Sequence, residues 1–285
     1  MRFATVILAL VLLLLLLAES AVAKSERIVS LNLCADQILL ELAEPEHIAA
    51  LSFVARDPYL SYHAAEAERF PVVRGSADEV LLLHPDLVLA GTMSTRATVN
   101  LLRRLDVPVL ELPVAQSLAD VREQIREVGA AIGEAVRAEA LLAALDARLA
   151  ALAPPVGAWR PVAAVYQTNG HTIGAPSLID DLLGQAGLIN LAPRVGLGVG
   201  GYLSLERLLA ADPDVLLMER YWPGAASLGQ TLLRHPALQH AIAQRPTLFV
   251  PSRLWICGGE FLAEAVAFLA DAARAALDVN DGEAP

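Results

Sequence analysis

The side chains best suited to chemistry are two cysteines, six histidines, and arginines and aromatics set between apolar runs. His47, His63, His84, His171, His235 and His240 are scattered, and no two share the i, i+4 spacing that puts two metal ligands on one helix face. His84 and His235 each precede a proline and read as turn residues, whereas His63 and His171 fall in loops and are candidates for ligand contact. Carboxylates and histidines are not concentrated at loop ends, so no metal cage is expected. A Walker-type Gly-Lys-Ser/Thr, HExxH, CxxC and a G-x-S-x-G elbow are all missing, so no catalytic residue is assigned. Gly196 to Gly201 satisfies G-x-G-x-x-G, with Glu219 further on, but Leu191-Ala-Pro-Arg194 before it is no central strand. It reads as a flexible glycine loop near a binding surface. In an exported chain Cys34 and Cys257 invite a disulfide, but sequence alone does not bring them together; a bridge and two separate thiols both stand.

The elements that would position these residues alternate. Short apolar strands are expected at 27–31, 48–53, 72–73, 87–90 and 107–111, and again at 161–166, 214–218 and 247–250, with helices between them. That alternation predicts an α/β fold with mainly parallel sheets covered on both faces. A ligand in such a fold sits beyond the carboxyl ends of the strands. Those ends carry Asn32, Cys34, Arg56, Tyr59, Arg74, Thr92, Arg96, Asn169, His171, Tyr221, Trp222, Arg253, Trp255 and Cys257. Arginines and aromatics from both halves suit a large, partly aromatic, anionic ligand held by stacking and charge.

Between the halves lies Ser117 to Leu152, without proline and with apolar residues three or four apart, the pattern of a helix with one buried stripe. Gly129 and Gly133 interrupt its rhythm, predicting one helix to about Ile132 and a second from about Glu134 to Leu152 that reaches about 28 Å, lobe to lobe. A phrase recurs on either side: Glu79, then His-Pro-Asp-Leu-Val-Leu, and Glu206, then Asp-Pro-Asp-Val-Leu-Leu. The repeat implies two similar lobes.

Arg2, an apolar run from Phe3 to Ala18, and Ala21-Val22-Ala23 have the layout of a signal peptide cleaved after Ala23. The run is shorter than the ~20 residues of a membrane span. A formal net charge of -11 makes nucleic acid and anionic membranes poor partners. The expected division is a signal peptide at 1–23, an N-terminal lobe at 24–133, an interlobe helix at 134–153 and a C-terminal lobe at 154–285.

Arg27-Ile-Val-Ser-Leu followed by a helix, the two Glu…Pro-Asp phrases and the mid-chain helix together resemble the periplasmic substrate-binding proteins of iron-siderophore and vitamin B12 ABC importers. The resemblance implies two Rossmann-like lobes joined by a single long helix, with a ligand cleft between them. It also implies an iron-siderophore or corrinoid ligand, no cofactor and no reaction, and a periplasmic monomer that serves an ABC permease and ATPase in the inner membrane. In that family one glutamate per lobe docks on permease arginines, and Glu79 and Glu206 stand at those positions. The B12 binders' tryptophan wall is incomplete, with Val73 and Gly200 near two of its places; Tyr59, Tyr202, Tyr221, Trp222 and Trp255 would supply a different aromatic wall. Both cysteines would lie in cleft loops, bridging the lobes, contacting a metal complex, or free. An exported enzyme and a metal-ion binder using the same cleft are the alternatives.

Overall fold

The computed structural model describes residues 25–93, 95–219 and 232–282; the expected signal peptide lies outside them. Strand β1 (Ile28–Ser30) is buried throughout, as a parallel strand covered on both faces must be. Asn32 ends it and starts helix α1 (Leu33–Leu42), its side-chain oxygen accepting from the backbone N–H groups of Cys34 and Ala35. Strands β2 (Ile48–Ser52), β3 (Val72–Val73), β4 (Leu87–Gly91) and β5 (Val109–Leu112) complete a parallel sheet in the order β3-β2-β1-β4-β5. Helices α2 (Ala64–Ala67), α3 (Ala77–Leu82) and α4 (Arg96–Arg104) connect its later strands. Val80, Val99 and Leu102 cover one face of the sheet, and α1 covers the other.

Helices α5 (Leu118–Ala131) and α6 (Ala135–Leu152) follow, split where the glycines predicted. Gly133 takes φ +76, a conformation that L side chains rarely adopt, and the chain turns there. At Gly129 an added Cβ would stand 2.6 Å from the Ala138 Cβ, so this glycine lets the two helices cross closely. Leu118, Val121, Ile125 and Val128 on α5, and Leu142, Leu145 and Leu149 on α6, are buried as the periodicity required.

Strands β6 (Val162–Tyr166), β7 (His171–Ile173), β8 (Ile189–Asn190), β9 (Gly200–Tyr202), β10 (Val215–Glu219) and β11 (Thr247–Val250) build the second lobe. Four of them form a parallel sheet in the order β11-β10-β6-β8, while β7 and β9 pair antiparallel on their own. Helices α7 (Leu178–Gln185), α8 (Leu191–Arg194), α9 (Leu205–Ala211), α10 (Pro236–Gln244) and α11 (Leu262–Gly282) surround them. The glycine segment at 196–201 therefore departs from the expected loop, because its end is strand β9. A Gly-Gly-Tyr strand has no side-chain alternation to betray it; only the ladder to β7 makes it a strand.

One apolar core runs from Ile28 and Leu39 through Val121 and Leu142 to Leu182 and Val266, and so from one lobe into the other. The expected helical joint is joined by a second seam, in which α1 of the first lobe meets segment 256–264 of the second. Cys34 and Cys257 form a disulfide there, their Cα atoms 4.9 Å apart. The backbone N–H of Glu260 donates to both carboxylate oxygens of Glu41, at 3.0 and 3.1 Å. Tyr62 stacks on Phe261 with ring centroids 4.5 Å apart, and its hydroxyl donates to Glu264 at 2.6 Å. Elsewhere between the lobes, the Leu118 N–H donates to Asp181 at 2.7 Å.

Two predictions follow from this packing. A Cβ added at Gly258 would sit 2.6 Å from both Val121 methyls. Gly258→Ala is therefore expected to lower the unfolding free energy in urea by about 1–3 kcal/mol, and adding Val121→Ala should recover part of that loss. Asp36, in the first turn of α1, is buried and accepts from the backbone N–H of Ser52 at 3.1 Å and from the Ser52 hydroxyl. Burial pushes its carboxyl up to about 7, against the opposing hydrogen bonds from Ser30 and Ser52. The folded state thus keeps a proton that the unfolded chain releases near pH 4, and stability falls as pH rises between about 4 and 7. Asp36→Asn should remove that part of the fall, so melts from pH 4 to 8 should show the variant gaining on the wild type. A constant difference across the range would refute the assignment.

Candidate functional site

In the first sheet the chain leaves β1 on one side for β2 and re-enters on the other through β4. That reversal opens a crevice beyond the carboxyl ends of the two strands. Asn32 and Cys34 follow β1, Thr92 and Met93 follow β4, and Pro113 to Ala115 follow β5. All of them line a cavity of about 610 Å³. Its opposite wall comes from the second lobe: His171 and Ile173 on β7, Ser177 to Ile179 at the start of α7, Val199 and Gly200 at β9, and Trp255 to Gly258 after β11. The disulfide joins the two walls.

Most of the lining is aliphatic. Met93, Val114, Val199 and Ile256 are 82, 68, 51 and 38% exposed, two from each lobe, and they face the same space. An apolar ligand surface laid against them gains about 25 cal/mol per Å² removed from water. The polar groups are few. Gln124 donates to Pro113 O at 2.7 Å, and the Ser177 hydroxyl accepts from Asp180 N at 3.1 Å, so both mainly shape the wall. His171 is oriented from behind: its Nδ1 bonds the Gln167 amide oxygen at 2.8 Å, which leaves Nε2 as the outward ring nitrogen, close to Gly200. Its ring meets Tyr202 edge-on at 5.6 Å. Glu219 is buried at the end of β10, and burial pushes its carboxyl up, opposed by the hydrogen bond from the Ser252 hydroxyl and by attraction to His171. Trp255 is 1% exposed, and its Nε1 has no hydrogen-bond partner among the described residues.

Of the residues expected at the site, Asn32, Cys34, Thr92, His171, Trp255 and Cys257 converge on this cavity. The arginines do not line it. Arg56 donates to the carbonyls of Ala67 and Phe70 and pairs with Glu68 at 3.6 Å, holding the loop around α2. Arg74 lies 5.6 Å over the Phe53 ring. Arg96 reaches Glu111 and the Thr92 carbonyl, and Arg253 is exposed outside the lining. Tyr59 is also exposed and away from it. Asn169 and Tyr202 line a different depression of about 670 Å³, shared with Glu206 and His235. Tyr221 and Trp222 lie outside the described residues. The aliphatic lining was missed because Met93, Val114, Ile173 and Val199 look like ordinary strand-end residues in sequence; only the two lobes together turn them to one cleft.

Glu79 and Glu206 occupy matching places, each in the first turn of the helix before a Pro-Asp strand entry. Hydrogen bonds from Arg74 N, at 3.0 Å, and from Ser76 hold the Glu79 carboxyl below its usual range, and Glu79 completes a capping box with Ser76. The Glu206 carboxyl is held low by its own backbone N–H and by the Ser204 hydroxyl. Both stay ionised, in line with the positive end of a helix.

Residues 28–254 match a family model described as periplasmic binding protein. Two curated relatives from strains of Halobacterium salinarum, each named a cobalamin-binding protein, are 29% identical over 205 residues, 68% of this chain and 54% of theirs. The chain thus spans about half the length of the curated relatives it matches. Among solved structures, the periplasmic heme-binding protein RhuT from Roseiflexus sp. RS-1 superimposes with a TM-score of 0.70 at 27% identity, covering 89% of this chain and 98% of that one. An ABC-type Fe3+-hydroxamate transport protein from Saccharomonospora viridis DSM 43017 gives 0.66 at 22% identity over 87 and 93%, a likeness of fold.

Proposed function

The chain belongs to the periplasmic binding protein family, and we propose that it captures a metal chelate in the interlobe cleft and hands it to an ABC permease and its ATPase. The chelate is a cobalamin-type corrinoid or an iron complex. Two lobes, at 24–133 and 154–285, hold it between them across the helix at 134–153. Residues 1–23 direct export, with cleavage after Ala23, and the mature chain works in the periplasm as a monomer without performing a reaction.

The observation that carries this reading is the cleft itself: about 610 Å³ at a strand switch point, walled by aliphatic side chains from both lobes. Apolar walls suit a ligand with broad apolar faces, as a metal-bearing macrocycle has. Similarity to a cobalamin-binding and a heme-binding protein supports that class. The ligand-contact residues are Asn32, Cys34, Thr92, His171, Trp255 and Cys257 with the aliphatic walls around them. Glu79 and Glu206, ionised and matched in the two lobes, orient the loaded protein on cationic side chains of the permease.

Titrating the mature protein with cyanocobalamin, haemin and a neutral ferric hydroxamate should give saturable quenching of tryptophan fluorescence for at least one, and Trp255→Phe should remove most of the signal. Saturable binding of none of the three would overturn the reading. For docking, Glu79→Gln with Glu206→Gln keeps the capping geometry and removes both charges. Uptake in cells should then drop at least tenfold while ligand affinity holds. Undiminished uptake would reduce the two glutamates to helix caps.

A further inference from the structure

We propose that the Cys34–Cys257 bridge is a redox latch on the cleft, so that ligand retention and the oxidation state of this cysteine pair are coupled. The inference rests on the reading of the cleft as the ligand site, and it concerns the regulation of that site.

The position of the bond carries the argument. Cys34 stands in the first turn of α1, directly after β1, and Cys257 lies in the segment between β11 and α11. They are separated by 223 positions in sequence, belong to different lobes, and both line the cavity. The seam between α1 and segment 256–264 therefore has two ends of different kind. At its far end Glu41 accepts from Glu260 N and Tyr62 stacks on Phe261. At the cleft end, among the described residues, the covalent bond is joined by the approach of the Cys34 sulfur to the Ile256 carbonyl at 3.6 Å and by packing of Gly258 against Val121. Cutting the bond frees the cleft end while the far end and the shared core still hold the lobes. The wall from Ile256 to Gly258 then loses its anchor to Asn32 and Cys34, and the site loses the preorganisation that spares a ligand the ordering cost.

The sulfurs are unequally reachable. Cys257 is 3% exposed, whereas Cys34 is partly exposed. A dithiol reductant attacks from the cleft: its thiolate bonds to the Cys34 sulfur and the Cys257 sulfur leaves as a thiolate that takes a proton. The second thiol of the reductant then closes the reductant's own disulfide and releases Cys34 as a thiol. Two electrons and two protons pass to the protein in all. A ligand filling the cleft covers the attack path, so occupancy protects the bridge as the bridge supports occupancy, and the linkage is reciprocal.

The test uses the full mature chain and dithiothreitol. On reduction, amide hydrogen exchange at 32–36 and 255–260 should rise about tenfold while β4 and β10 stay protected. Cys34→Ser with Cys257→Ser should behave like the reduced protein, and reoxidation should restore protection. Unchanged exchange at both segments overturns the latch; so does a rise throughout the chain, which would make the bridge a plain stability staple. Reduced and double-serine proteins should bind cyanocobalamin about tenfold more weakly, and saturating cyanocobalamin should shift the exchange equilibrium with dithiothreitol about tenfold toward the protein disulfide. Equal affinity and an unshifted exchange equilibrium overturn the coupling. If cyanocobalamin does not bind even the oxidised protein, the corrinoid reading fails, and the exchange experiment still decides the latch.

Discussion

The rest of the structure depends on the seam between α1 and the segment that leads into α11. Two α/β lobes joined by one chain crossing would leave the width of their cleft to a hinge. Here a disulfide, a buried carboxylate receiving a backbone N–H and a stacked aromatic pair fix one lobe against the other. The apolar core is continuous through α5, α6 and α11, so changing the interlobe angle would expose surface along much of that length. Rigidity is thus built from burial as much as from the long helix, and the cleft inherits a nearly fixed width.

A fixed, aliphatic cleft binds by complementarity of shape. Arg56, Arg74 and Arg96, whose charge would draw an anion, are occupied with carbonyls, a ring and carboxylates around the first lobe, where they secure loops. Among the described residues of the wall the one titratable group is His171, which is set by Gln167 behind it, with Glu219 buried nearby. Its polarity is concentrated at one spot in an apolar surface, an arrangement that orients a ligand more than it attracts one.

Much of this was legible in sequence wherever the signal is local. Short apolar runs gave the parallel strands except the two-residue β8, the three-and-four spacing gave the stripe of α5 and α6, and Gly133 marked the turn between them. The strand-end rule found Asn32, Thr92, His171 and Trp255, because a carboxyl end is a property of one element. What stayed hidden depends on relations between distant elements. Gly200-Gly201-Tyr202 becomes a strand only through β7, and Cys34 meets Cys257 only once both lobes are folded. Arginine misleads for the same reason, since its long side chain reaches whichever carbonyl or carboxylate the fold brings near, and sequence does not say which.

The repeated glutamates show how one residue can answer to two scales. Locally, a carboxylate in the first turn of a short helix bonds exposed N–H groups and faces the positive end of the helix, which is reason enough for its presence. The same bonds also keep it ionised. Charges of that kind, at matching places in two lobes held together by a shared core, present a pair of anions to anything that approaches both lobes. In the docking proposed above, the local cap and the remote contact would be one device: capping would supply the order that recognition at a distance needs, and the seam that sets the cleft width would set the spacing of the pair as well.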